Sequence, residues 1–114
     1  MTNRVERAEV LQGTLDLMVM QTLATLGPSH GYTIASRIEQ VSGGTVQLNM
    51  GTLYPALMRL EQRGLLRGKW GVTDNNRRAR FYALTKRGHR ELEAERSAWD
   101  RIAATMHALL NQAP

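Results

Sequence analysis

The sequence predicts a mostly α-helical domain with one small β-hairpin and a long helix near its C-terminal end. Three observations carry that prediction. Apolar residues recur at helical spacing in four separate stretches. Breakers separate the stretches: Gly27-Pro28, Ser42-Gly43-Gly44, Gly64 and Asp74-Asn75-Asn76. Two runs with strand character flank the last of these breaks. At 114 residues the chain has the size of one domain with one modest hydrophobic core.

The elements follow in order. Residues 1–9 are polar and are expected to fray. Met1 to Val10 alternates charges and has no apolar signal core. A first helix is predicted from about Gly13 to Leu26. Leu15, Leu17, Met18, Val19, Leu23 and Leu26 cover more than one of its faces, so it is expected to be buried on more than one side. Gly27-Pro28 ends it. A second helix spans about Gly31 to Val41, with Ile34, Ala35, Ile38 and Val41 inward. Val46 and Leu48 bracket Gln47 in an alternating segment, read as a small strand.

The third helix begins near Asn49 to Thr52, either of which is a fitting N-cap. Pro55 is placed in its first turn, where the missing N–H costs nothing. Gly64 ends the helix. Two strands follow, about Leu66 to Val72 and Arg78 to Leu84, with a turn over Asp74-Asn75-Asn76 because Asp and Asn tolerate left-handed backbone. Thr85 then caps a helix to about Leu110. In that helix Leu92, Trp99 and Met106 are seven apart, Ile102 and Leu109 interleave, and Glu95 is the one polar defect in the seam. The order of helix, helix, helix, hairpin and long helix is that of a winged helix-turn-helix with an appended dimerisation helix. Residues 1–85 would form the first part and 86–114 the second.

Charge points to a partner. The balance of 15 Lys+Arg against 10 Asp+Glu gives +5, with a pI near 10.4, in the range where nucleic acid becomes a serious candidate. Ten basic residues lie between Arg59 and Arg90, against only Glu61 and Asp74. On the third helix Leu53, Leu57 and Leu60 share one face, and Thr52, Tyr54, Arg59 and Arg63 lie off it. Hydroxyls, a phenol and guanidiniums of that kind bind phosphate oxygens and base edges.

Tyr54-Pro55-Ala56-Leu57-x-Arg59-Leu60-Glu61-x-x-Gly64-Leu65 resembles the signature of the PadR family of bacterial transcriptional regulators. His30-Gly31-Tyr32 is similar to that family's other hallmark. The stretch Asn75-Asn76-Arg77-Arg78-Ala79-Arg80-Phe81-Tyr82-x-Leu84-Thr85-x-x-Gly88 looks like a third. The resemblance covers about residues 10 to 110. It implies a homodimeric regulator, expected to be a repressor, that binds a pseudo-palindromic operator in double-stranded DNA. It also implies that Tyr54 faces DNA and donates to a phosphate. With only Asn111 to Pro114 beyond the last helix, the chain reads as one of the compact members with a short C-terminal part.

The expected DNA contacts are therefore Asn49, Thr52, Tyr54, Arg59, Arg77, Arg78 and Arg80. Arg80 is the weakest of these, because in a strand it faces opposite to Ala79 and Phe81. The dimer interface is expected at Leu92, Trp99, Ile102, Met106 and Leu109. Some PadR relatives bind flat aromatic effectors against a tryptophan of this helix, which makes Trp99 and Glu95 candidate effector contacts; a plain aromatic anchor in the seam is the safer reading of Trp99. Trp70 is read as covering the core. His30 and Tyr32 are read as structural, with His30 capping or bridging. Met18, Met20, Met50, Met58 and Met106 are read as core and seam residues.

Other classes fit less well. The chain has no cysteine, which excludes disulfides, thiolate zinc sites and Cys nucleophiles and agrees with a reducing cytoplasm. His30, His89 and His107 have no ligand spacing, so no metal is expected, nor any cofactor. There is no Gly-rich phosphate loop and no G-x-S-x-G, so no enzyme is expected. The apolar run Leu15 to Met20 contains Asp16 and is far too short for a membrane span. A helical scaffold that binds only protein is the alternative. The seam alone would allow it, but it leaves the basic hairpin without a purpose.

Overall fold

The computed structural model describes residues 12–112. The readings placed on residues 1–11 and on Ala113 and Pro114 lie outside the described residues. The elements are α1 (Gln12–Leu26), β1 (Ser29–His30), α2 (Gly31–Val41), α3 (Met50–Gln62), β2 (Leu66–Val72), β3 (Arg78–Leu84) and α4 (Lys86–Leu110). The chain is mostly helical, with a β-hairpin wing and a long final helix, as its periodicity and breakers predict.

α1 is the centre of the domain. Leu15, Val19, Met20 and Leu23 are buried, and the helix packs against α2, α3, α4 and β3. Four contacting elements explain why its apolar residues run round more than one face. Ile34, Ala35 and Ile38 of α2, Leu53, Ala56, Leu57 and Leu60 of α3, and Leu65, Leu66 and Tyr82 at the base of the wing complete the core. The stripe on α3 is as read from the sequence, with Ala56 added.

The segment around Val46 is not a strand. Val46 is buried and its N–H donates to Ser42 Oγ at 2.9 Å, so an apolar side chain anchors a loop there. The third strand of the sheet is instead the two-residue β1, in the order β1-β3-β2, with Ser29 opposite Tyr82 and His30 opposite Phe81. A two-residue strand leaves no periodicity to read. His30 does not cap α2 through its side chain, and it joins α2 to the sheet, not to another helix: its ring meets Phe81 of β3 edge-on at 5.3 Å, and its Nε2 lies 3.2 Å from Thr33 Oγ1.

Both ends of α3 are locally determined. Asn49 Oδ1 accepts from the Thr52 N–H at 2.9 Å, so Asn49 is the N-cap. At the other end Gly64 adopts φ +76°, Gly64 N–H donates to Glu61 O, and Leu65 N–H donates to Leu60 O, each at 2.9 Å. That pair of bonds is a Schellman ending, which turns the chain directly into β2. Pro55 corrects the sequence reading. It is the sixth residue of the helix, not a first-turn residue. The carbonyl it leaves without a helical donor belongs to Gly51, which is exposed, so water can serve it.

The wing turn runs from Thr73 to Arg77, closed by Thr73 N–H to Arg77 O and Asn76 N–H to Thr73 O at 2.8 Å each, with Asn76 at φ +60°. Thr85 Oγ1 accepts from Gly88 N–H at 3.0 Å and starts α4. Only Gly88 and Leu92 of α4 are buried. The sequence places Leu92 in a dimer seam; the structure places it in the hydrophobic core of its own chain. It sits in the second turn, where α4 still lies on the domain.

Candidate nucleic-acid interface

The exposed side of α3 carries Thr52, Tyr54, Pro55 and Met58, with Asn49 at its start. Asn49, Thr52 and Tyr54 are thus brought together on the first two turns. Tyr54 is only half free: a Cβ built on Gly31 would lie 3.6 Å from its Cζ and Oη. The ring rests against the start of α2, and the residue as a whole is 45% exposed. Tyr32 stands next to that glycine and is 71% exposed. With Ser36, Glu39 and Gln40 it lines an open hollow along α2 itself.

Two arginines expected on DNA are engaged elsewhere. Arg59 turns to α1, where its Nη2 donates to Asp16 Oδ1 at 2.9 Å and its Nε is buried without a partner. The Asp16 side chain is almost fully buried. A lone carboxylate inside an apolar run was the available signal, since a buried charge demands a partner. Arg80 Nη2 donates to Glu61 Oε2 at 2.5 Å. That bond, and the charge of Glu61, hold the Arg80 guanidinium above its ordinary pKa. Arg63 reaches Glu91 of α4 at 3.5 Å.

Arg77 and Arg78 remain exposed at the wing. Strand pairing puts Leu66, Gly68, Trp70 and Val72 opposite Leu84, Tyr82, Arg80 and Arg78, so these eight share one face. The base of that face is core and its outer part is open. Trp70 was expected to cover the core; it is 56% exposed, with Arg78 Cζ 4.8 Å from the ring centroid. Tyr82 is buried at the base, and burial pushes its phenol pKa up.

On α4, Trp99, Ile102, Met106 and Leu109 are all exposed. Glu95 is half-buried. Desolvation, then the hydrogen bond and charge of Glu91, raise its pKa, and Arg63 opposes the rise. An open groove of about 440 Å³ runs between α1 and α2, lined by Leu17, Met18, Ile38, Val41 and Val46, and Trp99 closes one end. A second hollow on the other side of Trp99 includes Glu95 and Ile102. Among the described residues no three His, Cys, Asp or Glu side chains cluster as a metal site. No helix among them is long and apolar enough to cross a membrane.

A model of the transcriptional regulator PadR-like family matches residues 19–94. The chain belongs to this family. The match runs from α1 to the start of α4 and so contains both the α3 surface and the wing. PadR-like proteins are DNA-binding transcriptional regulators, not enzymes. The chain is 28% identical to a PadR family transcription regulator from hypervirulent Clostridium difficile, with a TM-score of 0.72 over 85% of this chain and 98% of that one. It has the fold of a protein from Streptococcus mutans UA159, with a TM-score of 0.79, 23% identity, and coverage of 90% and 92%. It is also 40% identical, over 76% of its length, to an uncharacterized 37.1 kDa protein in transposon TN4556 of Streptomyces fradiae. It spans 23% of that relative.

In the PadR-like frame the three sequence motifs have separate physical jobs. His30-Gly31-Tyr32 joins β1 to α2 and makes room for Tyr54. The α3 motif supplies the buried stripe and the exposed face. The wing motif supplies the free arginines and the tyrosine that roots the hairpin in the core.

Proposed function

We propose that this PadR-like chain acts in the cytoplasm as a homodimeric repressor of a promoter carrying a pseudo-palindromic operator. α3 would enter the major groove with Asn49, Thr52 and Tyr54 toward the bases and backbone, and the wing would lie along the flanking phosphates with Arg77 and Arg78. Residues 86–114 would serve dimerisation, and residues 1–85 DNA binding.

The observation that carries this reading is the outer half of α4. The helix has 25 residues, roughly 38 Å at 1.5 Å per residue. Beyond Leu92 none of its residues is buried, yet it presents Trp99, Ile102, Met106, Leu109 and Leu110. An apolar series of that length on a solvent-facing helix is what a second copy would cover. Two copies joined there would set two α3 helices about 34 Å apart, one turn of DNA. The hollows on either side of Trp99 are where a flat aromatic effector would stack, with Glu95 as its polar contact. Such a ligand would act by changing the angle between the two DNA-reading heads.

Selection of bound duplexes from a random pool tests the DNA reading. An inverted repeat with half-sites one turn apart is the expected product. Recovery of no preferred sequence, together with no retention of DNA at low salt, would leave the protein-binding scaffold instead. For the interface, Ile102→Glu with Met106→Glu should convert dimers to monomers in sedimentation, because the new charges would be buried without partners. An unchanged dimer places the interface elsewhere. For the wing, Arg77→Ala and Arg78→Ala should each weaken binding by a similar factor on every DNA sequence. Each should also lower the slope of log affinity against log salt by about 1.8 for the dimer, roughly 0.9 for each of the two arginines lost. An unmoved slope removes that side chain from the phosphates.

A further inference from the structure

One face of the wing holds a continuous charged and aromatic column. It starts at Glu61 in the last turn of α3, whose carboxylate takes the Arg80 hydrogen bond at 2.5 Å. The Arg80 guanidinium lies across Gly68: a Cβ there would fall 2.5 Å from Nε, 2.6 Å from Nη2 and 2.7 Å from Cζ. Any side chain at that position would push the arginine away from Glu61. Arg80 Cζ is 5.9 Å from the centroid of Tyr82 on one side and 5.9 Å from that of Trp70 on the other. Trp70 in turn carries Arg78, with Cζ 4.8 Å from its centroid. Arg78 is the outermost member and has no carboxylate partner among the described residues.

This arrangement ties the free cation of the wing to the end of α3 by a chain of direct contacts. An arginine on an open hairpin would otherwise sample many rotamers and lose that freedom on binding. Stacking on an indole removes part of the loss in advance while leaving the N–H edge of the guanidinium free to donate. The exposure of Trp70, which contributes little to the core, has its explanation here. The column also joins the two DNA-facing elements of the domain, so that α3 and the wing keep one relative setting.

We propose that Glu61, Arg80 and Trp70 are positioning residues that hold Arg78 at a set place relative to α3, so that Arg78, not Arg80, meets the DNA backbone. This rests on the DNA-binding reading above.

The test is titration of the full chain with a random-sequence duplex of about 30 base pairs, a span of three helical turns, across a salt series. Trp70→Ala should weaken binding about two- to fivefold, the range of an exposed cation–π contact, with the salt slope unchanged because no charge is lost. Trp70→Phe should restore most of the affinity. In an Arg78→Ala background Trp70→Ala should have no further effect, whereas in an Arg77→Ala background its full factor should multiply. Arg80→Met should weaken binding without the loss of slope seen in Arg78→Ala. Wild-type affinity in Trp70→Ala, multiplication with Arg78→Ala, or a slope lowered by about 1.8 for the dimer in Arg80→Met would each overturn the column. A wild-type chain that binds no duplex at low salt would remove the DNA reading itself, a result distinct from any of these.

Discussion

Replacing Arg59 with methionine should destabilise the domain by about 3 kcal/mol, measured by denaturant unfolding. Methionine keeps most of the aliphatic stem and the helix propensity and removes the guanidinium, so the loss comes mainly from the charge. It strands Asp16, whose side chain is only 10% exposed and whose oxygen takes the Arg59 hydrogen bond at 2.9 Å. Removing one partner of a buried pair costs roughly 3–5 kcal/mol, because a carboxylate is left in a low-dielectric site. The lower end applies here, since the Arg59 side chain is one-third exposed and water already reaches it. The partner experiment separates charge from packing. With Asp16→Leu added, most of the stability should return, because a buried pair exchanged for apolar groups is often neutral. Failure of the double variant to recover would assign the loss to the packing of the arginine stem. Loss of less than about 0.5 kcal/mol in Arg59→Met, the size of an ordinary surface change, would mean that the pair is solvated.

Gly88→Ala should cost about 2 kcal/mol or more, even though alanine is the better helix former. Propensity favours the change by about 1 kcal/mol. Space opposes it more strongly. A Cβ at position 88 would sit 2.1 Å from the Leu65 carbonyl oxygen and 2.9 Å from Leu84 Cδ2. The first of these is backbone and cannot swing aside, so the overpacking penalty belongs at the upper end of its range, about 3 kcal/mol. Relief requires the first turn of α4 to lift. Two bonds hold that turn down: Thr85 N–H to Leu65 O at 3.1 Å and Thr85 Oγ1 to Gly64 O at 2.7 Å. For a domain near 100 residues the loss should appear as a melting point lower by roughly 8–16 °C. An unchanged melting point would show that α4 is not seated on the wing base. The same substitution would tilt the helix that we propose for dimerisation. Dimer affinity should therefore fall with stability, which is checked by sedimentation at low protein concentration.

Most of the fold was legible because it is set by local rules. The bounds of α2 and of both wing strands follow from glycine, Asp/Asn and Thr85, residues whose backbone and capping chemistry acts within four positions. The cap at Asn49 and the buried stripe of α3 are equally local. What was misread depended on distance. β1 is a strand only because β3 lies beside it, and Val46 is buried only because a loop passes over the core. Pro55 was moved to the first turn by a rule of tolerance, and the fold instead accepts it one turn later on an exposed side.

The candidate site divides along the same line. Sequence by itself determined the positive charge of the middle third, the polar face of α3 and the two arginines at the wing, since composition and periodicity decide which residues can share a surface. Tertiary structure decided which of those cations are free. Arg59 and Arg80 have the same chemistry as Arg77 and Arg78, but a carboxylate 43 residues away takes the first and one 19 residues away takes the second. Leu92 and Trp99 likewise lie on one heptad seam, yet Leu92 is buried in the core, whereas Trp99 stands half exposed at the edge of the α1–α2 groove. Periodicity states which residues lie on a common face. It cannot state what stands opposite that face, because side-chain pairing falls off within a few ångströms and is set by how the whole chain closes on itself.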